Sequence, residues 1–200
     1  MTAGRRLAGG LVAASLLVAC GGEDRELGGY RRDPAPAVDE VALPDVAAGG
    51  DGFALRAPDD GVLVVYFGYT NCPDVCPTTL ATVRGALSDL DDGAERVGLA
   101  MVTVDPDRDT DVLAEYVQGF VPSARALATN RDADLQRVAE RFGVAYRVTP
   151  RPNGDVEVAH TDNLFAVDDT GTLVLTWPSG VSRDDLAADL EQLLEEAGDP

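Results

Sequence analysis

The stretch Tyr66-Phe67-Gly68-Tyr69-Thr70-Asn71-Cys72-Pro73-Asp74-Val75-Cys76-Pro77-Thr78 decides how this chain is read. On its N-terminal side Val62 to Phe67 form an unbroken β-branched and aromatic run, the pattern of a strand buried on both faces. On its C-terminal side Leu80, Val83, Ala86, Leu87 and Leu90 recur at helical spacing, with Pro77 suited to a first helical position and Gly93 as the stop. Two thiols therefore stand where a buried strand gives way to a helix. In open α/β sheets ligands collect at the carboxyl ends of strands, and a helix N-terminus favours thiolate over thiol.

Further strand and helix signals alternate on the C-terminal side. Val97 to Val104 reads as a second buried strand, and Asp109-Thr110 as caps for a helix carrying Val112, Leu113, Tyr116, Val117 and Phe120. A strand is expected at Ala124 to Ala128, then a helix from Asp132 to Phe142 stopped by Gly143. Val144 to Val148 and Val156 to Ala159 flank the turn Pro150 to Gly154. Leu164 to Val167 and Thr172 to Trp177 flank Asp168-Asp169-Thr170-Gly171, a loop with hairpin chemistry. Ser182 caps a last helix that buries Leu186, Leu190, Leu193 and Leu194. This order predicts an α/β domain with a central mixed sheet and helices on both faces, the element order of a thioredoxin-like fold.

The region ahead of Val62 carries a different kind of information. Arg5 and Arg6 precede the apolar Leu11 to Val18, and Leu17-Val18-Ala19-Cys20 resembles a bacterial lipobox. Residues 1–19 are thus expected to be a lipoprotein signal peptide and Cys20 the lipidated residue. Residues 20–52, rich in Gly, Pro and Asp, are expected to be a flexible linker, and 53–200 the folded domain. Val41 to Leu43 and Phe53 to Leu55 are candidates for an edge hairpin. The expected location is the outer face of the bacterial cytoplasmic membrane.

The chain has 200 residues and a net charge of −19; its 16 basic residues are all Arg. That charge excludes nucleic acid as a partner and disfavours direct adsorption to anionic lipid. Cys20, Cys72 and Cys76 are the three cysteines. With Cys20 lipidated, the other two form an isolated pair in an oxidising compartment, and a bridge across three residues would remove little unfolded-state entropy. Redox chemistry or soft-metal binding explains the pair better than a structural staple does.

His160, the single histidine, precedes the Leu164 to Val167 strand, and in a thioredoxin-like topology that approach faces the helix-start cysteines. Two thiolates and an imidazole form a soft set suited to Cu(I) and able to hold Cu(II), with Zn(II) the main chemical rival. The chain resembles the SCO/SenC family through Phe67-Gly68-Tyr69-Thr70-x-Cys72-Pro73-Asp74-Val75-Cys76-Pro77, through Val102 to Thr110, and through His160 ahead of Leu164-Phe165-Ala166-Val167-Asp168-x-x-Gly171. The resemblance implies a membrane-tethered copper protein in which Cys72, Cys76 and His160 bind copper and Asp105 supports the site. It implies as partners the copper-bearing subunit of cytochrome c oxidase, whose binuclear site would be metallated or have its cysteines reduced, and a periplasmic copper donor. Arg108 either offsets Asp74 and Asp105 near the thiols or pairs with Asp107. The competing class is a thiol-disulfide oxidoreductase using Cys72 and Cys76 without His160; a peroxidase is disfavoured by the paired cysteines followed by Pro77. Met1 and Met101 are the only methionines, which excludes a Met-rich copper store.

Overall fold

The computed structural model describes residues 25–198. Its centre is β3 (Val62–Gly68), buried at every position. A strand with no exposed side chain must be paired on both edges and covered on both faces. Parallel to it lies β4 (Val97–Thr103), in register from Val62 opposite Val97 to Gly68 opposite Thr103. On its other edge runs the antiparallel β8 (Leu164–Val167), continued by the antiparallel β9 (Leu173–Trp177). Beyond β4 come the parallel β5 (Arg125–Leu127), then β1 (Leu43–Asp45) and β2 (Asp51–Phe53), to give the order β2-β1-β5-β4-β3-β8-β9.

The alternation of side chains along β3 divides the core. Val62, Val64 and Tyr66 pack with α1 (Val75–Asp89), α3 (Leu113–Gln118) and α5 (Arg183–Gly198). Leu63, Val65 and Phe67 face α4 (Asp132–Phe142), where Phe67, Phe142 and Phe165 meet edge to face at centroid separations of 5.1 to 6.1 Å. A fully buried side chain of this size stabilises by roughly 1.5–3 kcal/mol. Helices cover both faces of a mixed sheet, and the fold is thioredoxin-like. No helix among the described residues is long and apolar enough to cross a membrane.

Several expectations are corrected. The helix after the cysteines begins at Val75, two residues before Pro77, so Cys76 lies within its first turn; Pro77 is tolerated there because first-turn amides need no helical acceptor. Asp109 does not cap the following helix. Pro106–Asp109 forms its own short helix, α2, while α3 starts at Leu113 and Val112 is exposed. The extended pair expected after α4 is present as β6 (Tyr146–Pro150) and β7 (Val156–His160), and it forms its own two-stranded sheet, hydrogen-bonded to none of the seven strands of the main sheet.

Residues 25–52 are not a free linker. The predicted edge hairpin exists as β1 and β2, joined through the short turn Val46–Ala48, with Leu43 fully buried. Ahead of it the chain runs as a strap along the outer edge of β9. Tyr30 and Thr176 exchange backbone bonds at 2.9 Å in both directions, Val38 N–H donates to Gly171 O at 2.8 Å, and the Val38 side chain is buried. The strap is fastened by Asp189, a fully buried carboxylate on α5. It accepts from Gly28 N and Gly29 N at 3.2 Å and from Trp177 Nε1 at 2.8 Å, and it pairs with Arg25. Residues 1–19 and Cys20 lie outside the described residues.

Replacing Asp189 with Ala orphans two strap amides and the Trp177 indole N–H together. A loss of about 2–4 kcal/mol is expected in urea unfolding, because removing one partner of a buried charged cluster leaves the rest unpaired. New proteolytic cleavage between Arg25 and Val38 under native conditions would accompany it.

Candidate metal centre

β3 ends at Gly68, and the loop 69–74 turns the chain into α1. The backbone at Gly68 passes so close to its neighbours that a Cβ there would stand 2.7 Å from Tyr66 Cε1 and 3.2 Å from Cys76 Sγ. Glycine at this point lets the Cys76 sulfur settle against the strand, where the residue is fully buried. Cys72 is half-buried in the loop, and its sulfur accepts from Cys76 N at 3.3 Å. Both cysteines are free thiols.

The two sulfurs differ electrostatically. Burial opposes ionisation of Cys72, but hydrogen bonds from the Cys76 thiol, the backbone amides of Cys76 and Asp74, and the Tyr69 hydroxyl outweigh it and hold the thiol below its usual range. Burial pushes Cys76 up to about 12, against opposing hydrogen bonds from Tyr66 and Tyr69. Burial likewise raises the Tyr69 phenol to about 12 and the Tyr66 phenol further still.

His160 reaches this junction from the end of β7 rather than from a loop leading into β8. Its Nδ1 lies 2.9 Å from Thr161 O, and since a carbonyl only accepts, Nδ1 carries the proton. In the neutral ring Nε2 then carries the lone pair, and it faces Cys76 Sγ at 3.8 Å. The rings of Tyr66 and Tyr69 meet the imidazole edge to face at 6.3 and 5.7 Å. Tyr66 donates to Asp162 Oδ1 at 2.7 Å, and Ser179 donates to Asp162 Oδ2 at 2.7 Å.

The fold thus brings Cys76 and His160 into contact, with the Cys72 sulfur in the preceding loop, against Cys76 N. Among the described residues no three His, Cys, Asp or Glu side chains already stand at coordinating positions. The donor chemistry fits a soft ion: two sulfurs, one of them readily ionised, and an imidazole nitrogen whose other nitrogen is tied to a carbonyl.

Asp105 stands apart from this set. It is 3% exposed, and its carboxylate pairs with Arg108, whose Nε lies 2.5 Å from Oδ2. Arg108 therefore pairs with Asp105, not with Asp107, and its charge lies near enough to Tyr69 to act on that phenol. Asp105 also borders a cleft of about 600 Å³ shared with Asp132, Glu140, Tyr146 and Arg147, which neither cysteine nor His160 lines.

The residue that sequence reasoning missed is Asp109. Fully buried, it accepts from Thr70 N at 3.0 Å, from Thr70 Oγ1 at 2.6 Å and from Thr103 Oγ1 at 2.6 Å. It ties the cysteine loop to the end of β4. The available signal was a pair of threonines, Thr70 just after β3 and Thr103 ending β4, with a carboxylate six residues beyond the second.

The model of the SCO1/SenC family matches residues 48–195, and the chain belongs to that family. It is similar to the apo Sco1 protein of Thermus thermophilus, solved in solution, at 33% identity and a TM-score of 0.73 over 86% of this chain and 99% of that one. It is also similar to Bradyrhizobium japonicum ScoI, solved with copper bound, at 27% identity and a TM-score of 0.65 over 76% of this chain and 96% of that one. A SCO2-like protein of Rickettsia prowazekii is 32% identical over 111 residues, which make up 54% of each chain. The matched region spans 38 to 65% of the length of the first curated relatives.

Two outcomes are expected from this geometry. Iodoacetamide at pH 7 to 8 should alkylate Cys72 well before Cys76, because the thiolate fraction of Cys72 grows at a pH below the ordinary thiol range whereas Cys76 ionises only near pH 12; peptide mapping reads the order. Asp109→Ala should cost about 2–4 kcal/mol in urea unfolding, through three donors left without their acceptor.

Proposed function

We propose that this protein is a membrane-tethered, extracytoplasmic copper chaperone. It takes copper as cargo on Cys72, Cys76 and His160 and assists maturation of the binuclear copper site of cytochrome c oxidase, with Cys20 as its lipid anchor. The observation that carries this reading is the approach of His160 Nε2 to Cys76 Sγ at 3.8 Å, with the ionisable Cys72 sulfur on the adjoining turn. An imidazole nitrogen beside the buried sulfur adds a third soft donor to the two thiols, the set that a copper ion takes. Similarity to a Sco protein solved with copper bound supports the same assignment. Within it Cys72, being half-exposed, is the first sulfur an arriving ion meets, Cys76 and His160 receive it beneath, and the phenol rings of Tyr66 and Tyr69 limit water around the imidazole.

One observation favours a second reading, a thiol-disulfide reductase. An ionisable outer thiol above a buried, poorly ionised one is the order needed for exchange. Cys72 thiolate would attack a target disulfide and expel one target thiolate. Cys76, giving its proton to the expelled target thiolate, would then attack the Cys72 sulfur of the mixed disulfide and displace the second target sulfur, which takes up from solvent the proton Cys72 had released; the target is left with two thiols and this protein with a Cys72–Cys76 disulfide.

Copper titration separates the readings. The reduced domain should bind one Cu(I), and Cys72→Ala or Cys76→Ala should lower the affinity by more than about 100-fold, beyond what loss of a supporting neighbour costs. His160→Ala should weaken Cu(II) more than Cu(I), since two thiolates can hold Cu(I) alone, while leaving the cysteine pair able to cycle. Normal oxidase assembly in cells whose only copy is His160→Ala, with both affinities lost in the isolated variant, would overturn metal delivery and leave the reductase.

A further inference from the structure

The strap along β9 has a direction. Tyr66 on β3 is paired with Leu164 on β8, and Leu164 with Trp177 on β9, so the C-terminal end of β9 lies at the same end of the sheet as the cysteine loop. The strap runs antiparallel to β9, with Tyr30 opposite Thr176 and Ala37 opposite Thr172. The chain therefore enters the domain at the end that carries Cys72, Cys76 and His160 and only then runs toward the opposite end. Arg25, Gly28 and Gly29 are fastened there by Asp189 and Asp185 near the start of α5.

From Cys20 to Arg25 is five residues. Fully extended they reach about 17 Å, against roughly 110 Å for a free linker of the 33 residues from 20 to 52. A chain held this short, entering at this end, cannot let the domain turn over. We infer that the thiol and imidazole end of the sheet faces the lipid surface, with the strap as the device that sets the orientation; this rests on Cys20 being the anchor. The partner surface is the bilayer to which that anchor belongs. The acidic charge of the chain keeps the domain from lying flat on anionic headgroups, since like charges repel within about a Debye length of 8 Å. A gap is left between the site and the membrane in which a membrane-borne acceptor is met end-on.

The absence of Lys from the sequence provides the test, because one introduced Lys is a unique side-chain amine for a fluorophore. Asp111, exposed between α2 and α3, marks the site end, and Asp92, exposed between α1 and β4, marks the opposite end. The full lipidated chain, as Asp111→Lys or as Asp92→Lys, is labelled and reconstituted in vesicles of three parts phosphatidylcholine to one part phosphatidylglycerol carrying headgroup-attached acceptor dye. Energy transfer is expected to be several-fold more efficient from position 111 than from 92. Equal or reversed efficiencies in protein that partitions with the vesicles would overturn the orientation and leave the anchor standing. Failure to partition, as Cys20→Ala is expected to show, would remove the anchor and the orientation together. Adding Asp189→Asn and Arg25→Gln to each labelled chain should shrink the difference by loosening the strap. A difference undiminished in those variants would overturn the strap as the orienting element.

Discussion

Everything in this domain hangs on the parallel pairing of β3 with β4. Parallel strands need helical crossovers, so the pairing obliges α1 to leave the end of β3 and return across one face. That departure creates the strand-to-helix junction and places the Cys76 amide, in the first turn of α1, against the Cys72 sulfur. Burial of β3 on both faces makes the junction stiff, since a shift of one residue would carry Tyr66 and Phe67 each into the wrong core. The chemistry at the cysteines is a consequence of where that strand is forced to stop.

The chain holds its irregular segments with buried aspartates, an economical use of an acidic sequence. Asp45 accepts from Ala47 N and Ala126 N and so seats the β1 turn on β5; Asp109 seats the cysteine loop on β4; Asp189 seats the strap on α5. Each satisfies backbone amides that no strand or helix would otherwise serve. Burying a carboxylate is costly, and it is tolerated here because the acceptor oxygens meet N–H or O–H donors from several directions. Asp105, by contrast, is held by Arg108.

Periodicity made the regular parts legible. The run Val62 to Phe67, the stripe of Asp132 to Phe142 with Gly143 behind it, and the hairpin around Asp168 to Gly171 stand where the sequence places them. What escaped has no period. The strap is attached through backbone bonds and through an aspartate some 160 positions away, and its isolated Val38 and Leu43 do not form a pattern. Asp109 was hidden because a helix cap and a buried anchor are written with the same residue after the same turn. Cys72, Cys76 and His160 were identifiable by type and by their shared end of the sheet, but local sequence did not show that His160 arrives there at the end of a separate β6–β7 hairpin rather than on a loop.

Trp177, the chain's single tryptophan, is fully buried and shares Asp189 with the strap through its indole N–H. Its Cδ1 would stand only 3.0 Å from a Cβ at Gly29, so indole and strap are packed against each other. The molecule consequently contains its own optical gauge. Indole emission, excited beyond the tyrosine band, reports without any label whether the strap is seated on the domain.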